Sequence, residues 1–193
     1  MTRLTRGRLL HRATVGGVAL LASGPALGAG RAAAAGSDAG RIRTALALSH
    51  IQARLYSQAA RAEALRPDLL FFARVAAGHE EEHVAALTAL AGAAGDPPRP
   101  DLWQVAADDA AFAHMAVRLE DLTVRALNAI AGDLGPEALA ATSRIASVDA
   151  RHAAWARGLV GVTPSHHVFD RGRTRDEVAA ALTEAGLDPE LVP

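Results

Sequence analysis

The sequence contains no cysteine. That excludes disulfides, thiolate metal sites, iron–sulfur clusters and a lipid-modified cysteine. Aromatic residues are scarce at 4%, with one tyrosine and two tryptophans, while alanine is abundant. Such a composition favours helices packed closely through small side chains. Charge of one sign is also lacking: the formal net charge is -1, so nothing marks a nucleic-acid binder or a polybasic membrane protein. Strand signal is almost absent. What remains is 193 residues with 50% hydrophobic content, enough for one domain with a substantial core.

The amino terminus carries Arg3, Arg6, Arg8 and Arg12, then an uncharged run from Ala13 to Gly30. Small residues follow through Ser37, giving small-x-small cleavage sites after Ala29 or Ala35. This is the layout of a secretory signal over residues 1–35, with the mature domain over 36–193. Gly16, Gly17, Gly24 and Pro25 make the run a poor spanning helix, so no stable membrane span is expected once the signal is removed. Thr5-Arg6-Gly7-Arg8-Leu9-Leu10 resembles a twin-arginine export signal, with Gly7 where the second arginine would stand. The expected location is therefore exported: periplasm, cell envelope or extracellular space.

Along the mature chain, Ser37-Asp38 offers a helix N-cap, and the helical pattern runs to Arg66, where Pro67 stops it. A second helix opens at Pro67-Asp68 and closes near Gly92. Pro97 to Val105 reads as a linker. A third helix covers about 108–131, and a fourth starts at Pro136-Glu137 and reaches about Gly158. Thr163 to Arg173 reads as a loop, and Thr174-Arg175-Asp176-Glu177 as a capping box for a short fifth helix. Two hairpins of long helices joined by one longer connection give an all-α, up-down four-helix bundle with a short C-terminal helix.

Gly78-His79-Glu80-Glu81-Glu82-His83 is the most informative stretch, echoed at Asp149-Ala150-Arg151-His152. Each holds a carboxylate and a histidine at i and i+3, which lie on one helix face within reach of one metal ion. Ala76 and Leu87 place Glu80 and His83 on the inward face, and Ile145 and Leu159 do so for Asp149 and His152. Glu81 and Glu82 point elsewhere and should be solvated. Glu120 falls in the apolar stripe formed by Ala113, Ala116, Val117, Val124 and Leu127. A carboxylate there is neutralised, paired or metal-bound, because an unpaired buried charge is very costly. Three blander readings stand beside these: Glu120 fits a partly exposed glutamate at the edge of the stripe. HEEEH alone fits a charged surface turn, and Asp149/His152 alone fits an ordinary helix-surface contact. HEEEH also reads as H-E-x-x-H, in which His79 and His83 would bind zinc and Glu80 would be the base; that leaves Glu120 and the second pair unexplained. His114, His166 and His167 are read as surface or satisfied residues, with His166-His167 able to take adventitious metal.

From about Arg41 to Val192 the chain resembles the exported bacterial ferritin-like domain proteins of the ferritin/rubrerythrin superfamily. The resemblance rests on Leu119-Glu120-Asp121-Leu122-Thr123-Val124, on Val148 to Trp155, and on the tail Val168-Phe169-Asp170 with Arg175-Asp176-Glu177-Val178. It implies a ferritin-like bundle with a carboxylate-bridged di-iron or di-manganese centre. Carried over by position, the ligands are Glu80, His83, Glu120, Asp149 and His152, with Glu80 and Asp149 bridging and Glu120 terminal. Ferroxidase or peroxide- or oxygen-reducing activity would follow, and the protein could form homo-oligomers. Two departures stand out: Ser49 occupies the position of the helix-one glutamate, with Gln52, one turn on, an amide, and Asp149 stands where a glutamate is expected. One or two ions are therefore expected, with Gln52 or water able to complete the second. A bundle whose centre has decayed, kept for a structural, stress or interaction role without catalysis, is the alternative reading.

Overall fold

The computed structural model describes residues 25–92, 95–165 and 167–193, with side chains from Asp38 onward. Most of the expected signal segment, 1–24, lies outside these residues, as does His166. The chain divides into two units, Met1–Ala32 and Ala33–Pro193, and the site lies in the second.

Four long helices carry the fold: α1 (Pro25–Ala62), α2 (Pro67–Ala91), α4 (Asp109–Ile130) and α5 (Pro136–Leu159). Two shorter ones are α3 (Trp103–Ala106) and α6 (Arg175–Glu184). No strand occurs among the described residues, and none of their helices is long and apolar enough to cross a membrane. The all-α bundle expected from the periodicity is what forms.

Helix boundaries follow local chemistry. Helix α1 does not start at Ser37-Asp38; the alanine-rich stretch before it, high in helix propensity, extends the helix back to Pro25. Asp38 instead reaches across the chain, its Oδ2 accepting the Gly135 N–H at 3.1 Å and so capping α5. Helix α1 ends at Ala62 rather than Arg66, because Pro67 holds Arg66 extended (ψ 154°) and the turn passes through Glu63 at φ 50°. Asp108 caps α4 by accepting from Ala111 N at 2.8 Å. The expected capping box of Thr174 and Glu177 opens α6.

Between α2 and α4 the chain runs back along α1. Arg54 Nε donates to the Pro100 carbonyl at 2.5 Å, and Leu102 N–H to Gln58 Oε1 at 3.1 Å. The expected linker therefore contains the one-turn α3 and brings α4 to start where α2 started, with Arg66 N–H on Asp109 Oδ1 at 3.0 Å. As a result α4 runs parallel to α2 and antiparallel to α1.

The apolar core comes in two clusters. The larger joins Leu48, Ile51, Leu55 and Tyr56 of α1 to Phe72 and Ala76 of α2, Phe112 and Leu119 of α4, and Leu182 of α6. The smaller gathers Ile42, Leu46, Leu87, Leu127 and Ile145. On α2 the two are separated by Glu80 and His83, and on α5 by Asp149 and His152. The polar residues singled out in the sequence thus sit in the middle of the bundle.

Candidate metal centre

Glu80, Glu120 and Asp149 are each completely buried, and His83 and His152 are 8% and 3% exposed. Helix periodicity explains why: each carboxylate and histidine lies on the stripe that also carries the neighbouring core residues. Glu81 and Glu82, one step off the stripe, are exposed as expected.

All five candidates converge. His83 Nδ1 lies 3.1 Å from Glu80 Oε1 and 3.2 Å from Asp149 Oδ1. His152 Nδ1 lies 3.2 Å from Glu120 Oε1 and 3.9 Å from Glu80 Oε1. Glu80 Oε1 therefore stands between the two imidazoles. Ligand atoms of Glu80, Glu120, Asp149 and His152 all fall within 4.8 Å of one another.

Neutral groups from α1 complete the wall. Tyr56 donates its hydroxyl to Glu120 Oε1 at 2.5 Å. Gln52 Oε1 accepts from Thr123 Oγ1 at 2.7 Å. Ser49 is buried against Glu80, with its hydroxyl lacking a well-aligned partner. Neither Tyr56 nor Thr123 stood out in the sequence. Their only signal was register: Tyr56 lies seven residues after Ser49, and Thr123 three after Glu120, each on the inward face.

Beyond these contacts with the imidazoles, few of the buried polar atoms are satisfied. Glu80 Oε2, Glu120 Oε2, both oxygens of Asp149 and His152 Nδ1 are buried without a well-formed hydrogen bond. Native interiors leave few such atoms, and a cluster of orphaned acceptors around one point fits a cation. The donor set of carboxylate oxygen and imidazole nitrogen suits iron, manganese or zinc.

The electrostatics show the same strain. Burial pushes Glu80 up to about 7, with Asp149 adding to it against the opposing pull of His83. Glu120 is driven well above its usual range by burial and by the charges of Glu80 and Asp149. Burial also raises Asp149. Burial works against charge on His83, yet its contacts with Asp149 and Glu80 outweigh that and raise it to about 10. His152, desolvated and facing His79 and His83, falls to about 4.

His79 is exposed, and its Nδ1 lies 2.9 Å from His152 Nε2, the two rings stacked with centroids 5.1 Å apart. His83 meanwhile faces Glu80 and Asp149, so the two histidines of the H-E-x-x-H reading serve different neighbours. A surface cavity of about 500 Å³, lined by His79, His83, Val148, His152 and Trp155 among others, reaches the centre from this side. His114 and His167 are exposed.

Residues 37–162 match the family model described as "Ferritin-like domain". The chain belongs to the ferritin-like domain family. No curated protein and no solved structure matches it. The matched stretch of this ferritin-like chain holds all five converging residues, together with Ser49, Gln52 and Tyr56.

Proposed function

We propose that this ferritin-like protein is exported and binds iron or manganese in the centre formed by Glu80, His83, Glu120, Asp149 and His152. The observation that carries the reading is the set of three buried carboxylates gathered between two imidazoles, each with an oxygen that has no hydrogen-bond partner. Evolution of a structural core alone would not be expected to keep three desolvated carboxylates, since apolar residues of similar volume are often equally or more stable there.

Bound iron or manganese would supply redox chemistry, with Fe(II) oxidation or the reduction of oxygen or peroxide as the activity. The chain's own contribution is positional. Tyr56 orients Glu120, Thr123 holds the Gln52 amide, and the two apolar clusters exclude water above and below. The cavity at His79 and Trp155 gives a small molecule or ion its way in. A second reading, a bundle without catalysis, is favoured by one observation: α1 places no carboxylate in the centre, only Ser49, Gln52 and Tyr56.

Elemental analysis tests the metal. Tag-free mature protein, loaded anaerobically with Fe(II) or Mn(II), is compared with a Glu120→Ala/His152→Ala variant. Bound metal in the first and none in the second is expected; oxygen consumption on Fe(II) addition then separates an enzyme from a binding protein. Zinc retained by the double variant would instead support the His79/His83 hydrolase. For export, the intact mass of protein from a secreting host should show cleavage after Ala29 or Ala35, and an uncleaved cytoplasmic product would count against it.

A further inference from the structure

The two halves of the centre are not equal. Four-helix carboxylate sites take one glutamate from each of two helices, and a carboxylate–histidine pair at i and i+3 from each of the other two. Here α2 and α5 supply the pairs and α4 supplies Glu120. The fourth contribution has to come from α1, and the structure shows where.

Gln52 and Thr123 are hydrogen-bonded across the antiparallel pair α1 and α4, so they mark one level of the bundle. Ser49 lies three residues before Gln52, as Glu120 lies three before Thr123. Because the helices run in opposite directions, Ser49 and Glu120 stand on opposite sides of that level. Tyr56 fits this geometry, since it sits past Gln52 and meets Glu120. Glu120 therefore belongs to the half of the centre holding His152, at 3.2 Å, and Ser49 belongs to the half holding His83, beside Glu80.

Resting on the proposed metal function, we propose that the wild-type centre holds a single divalent ion. It sits in the half formed by Glu120, His152, Glu80 and Asp149, and Ser49 closes the His83 half to a second. The favoured half has four ligand residues within 4.8 Å of one another. The other has His83 and the same two shared carboxylates, but no carboxylate of its own. Two divalent ions about 3.5–4 Å apart, the usual separation in two-metal sites, repel with four times the energy of a unit pair at that distance. A terminal carboxylate on each ion is what offsets this, and a serine hydroxyl brings no charge. Gln52 does not replace it: the amide is neutral, and its Oε1 accepts from Thr123 Oγ1. His83 then serves the ion indirectly, bridging Glu80 and Asp149 and fixing the orientation of both.

Mn(II) binding and its electron paramagnetic resonance spectrum test this in wild type, Ser49→Ala and Ser49→Glu. Wild type is expected to take one Mn(II) per chain, with the six-line signal of an isolated ion, and any second ion at least ~100-fold weaker, the upper end of what one supporting group contributes to metal affinity. Ser49→Ala should keep the count at one. Ser49→Glu should take two, with the signal broadened by coupling between neighbouring ions. Two ions in wild type with affinities within tenfold would overturn this inference and leave metal binding intact. Absence of any bound metal would overturn both. Should the buried glutamate prevent Ser49→Glu from folding, the wild-type count and spectrum decide alone.

Discussion

Tyr56 is the only tyrosine in the chain, and its ring is wedged edge-on against Phe72 and Phe112, with centroids 5.6 and 6.0 Å away. That packing fixes the hydroxyl where it donates to Glu120. Burial, then the Glu120 charge, push the phenol well above its usual range, so it stays protonated and remains a donor. Tyr56→Phe keeps the ring and removes the bond. The expected cost to the metal-free protein is about 1–3 kcal/mol, the range for a buried acceptor left without its partner. Metal affinity should fall by roughly 10- to 100-fold, as for other groups that orient a ligand from behind. Chemical denaturation in chelator reads the first and calorimetric titration with Mn(II) the second; unchanged affinity would mean that Tyr56 only packs.

At the scale of elements, Asp38 ties the start of α5 to α1. Its oxygen satisfies the N–H of Gly135, a donor that would otherwise be left unpaired at a helix start, and a Cβ on Gly135 would come within 3.0 Å of it. Asp38→Ala should cost about 0.5–2 kcal/mol, with Asp38→Asn restoring most of it. Equilibrium unfolding by urea measures both, and equal losses in the two variants would argue against capping. This residue also shows what a sequence conceals. Helices α2, α4 and α5 were legible, because Pro67, Asp108 and Pro136 act on their immediate neighbours. So were the five central residues, four through a spacing of three and Glu120 through its place in an apolar stripe, both of them local patterns. In the sequence Asp38 reads as a local cap, yet its partner lies 97 residues away. Tyr56 and Thr123 escaped for the same reason: their meaning comes from which helix lies opposite, and periodicity within one helix does not carry that.

For the whole molecule, the buried centre makes stability depend on pH in a direction set by its protons. Glu80 rises from 4.5 to about 7, and Glu120 and Asp149 also rise. Over that span the folded protein holds more protons than the unfolded chain, so stability is greatest below the unfolded values and is lost as pH climbs through the folded ones. His83, raised from 6.5 to about 10, continues the loss at higher pH. His152 opposes it: lowered from 6.5 to about 4, it contributes stability above 6.5 that disappears as pH falls towards 4. Three carboxylates and His83 outweigh one imidazole, so the melting temperature in chelator should decline between about pH 6 and pH 9. A bound cation inverts the trend, because it competes with those same protons for the carboxylate oxygens. The increment in melting temperature at saturating Mn(II) should therefore grow over the same range. Thermal scans at three pH values, with chelator and with Mn(II), measure both slopes. A chelated protein whose melting temperature rises with pH would mean that the carboxylates are paired and ionised in the folded state, and the case for a cation between them would lose its electrostatic support.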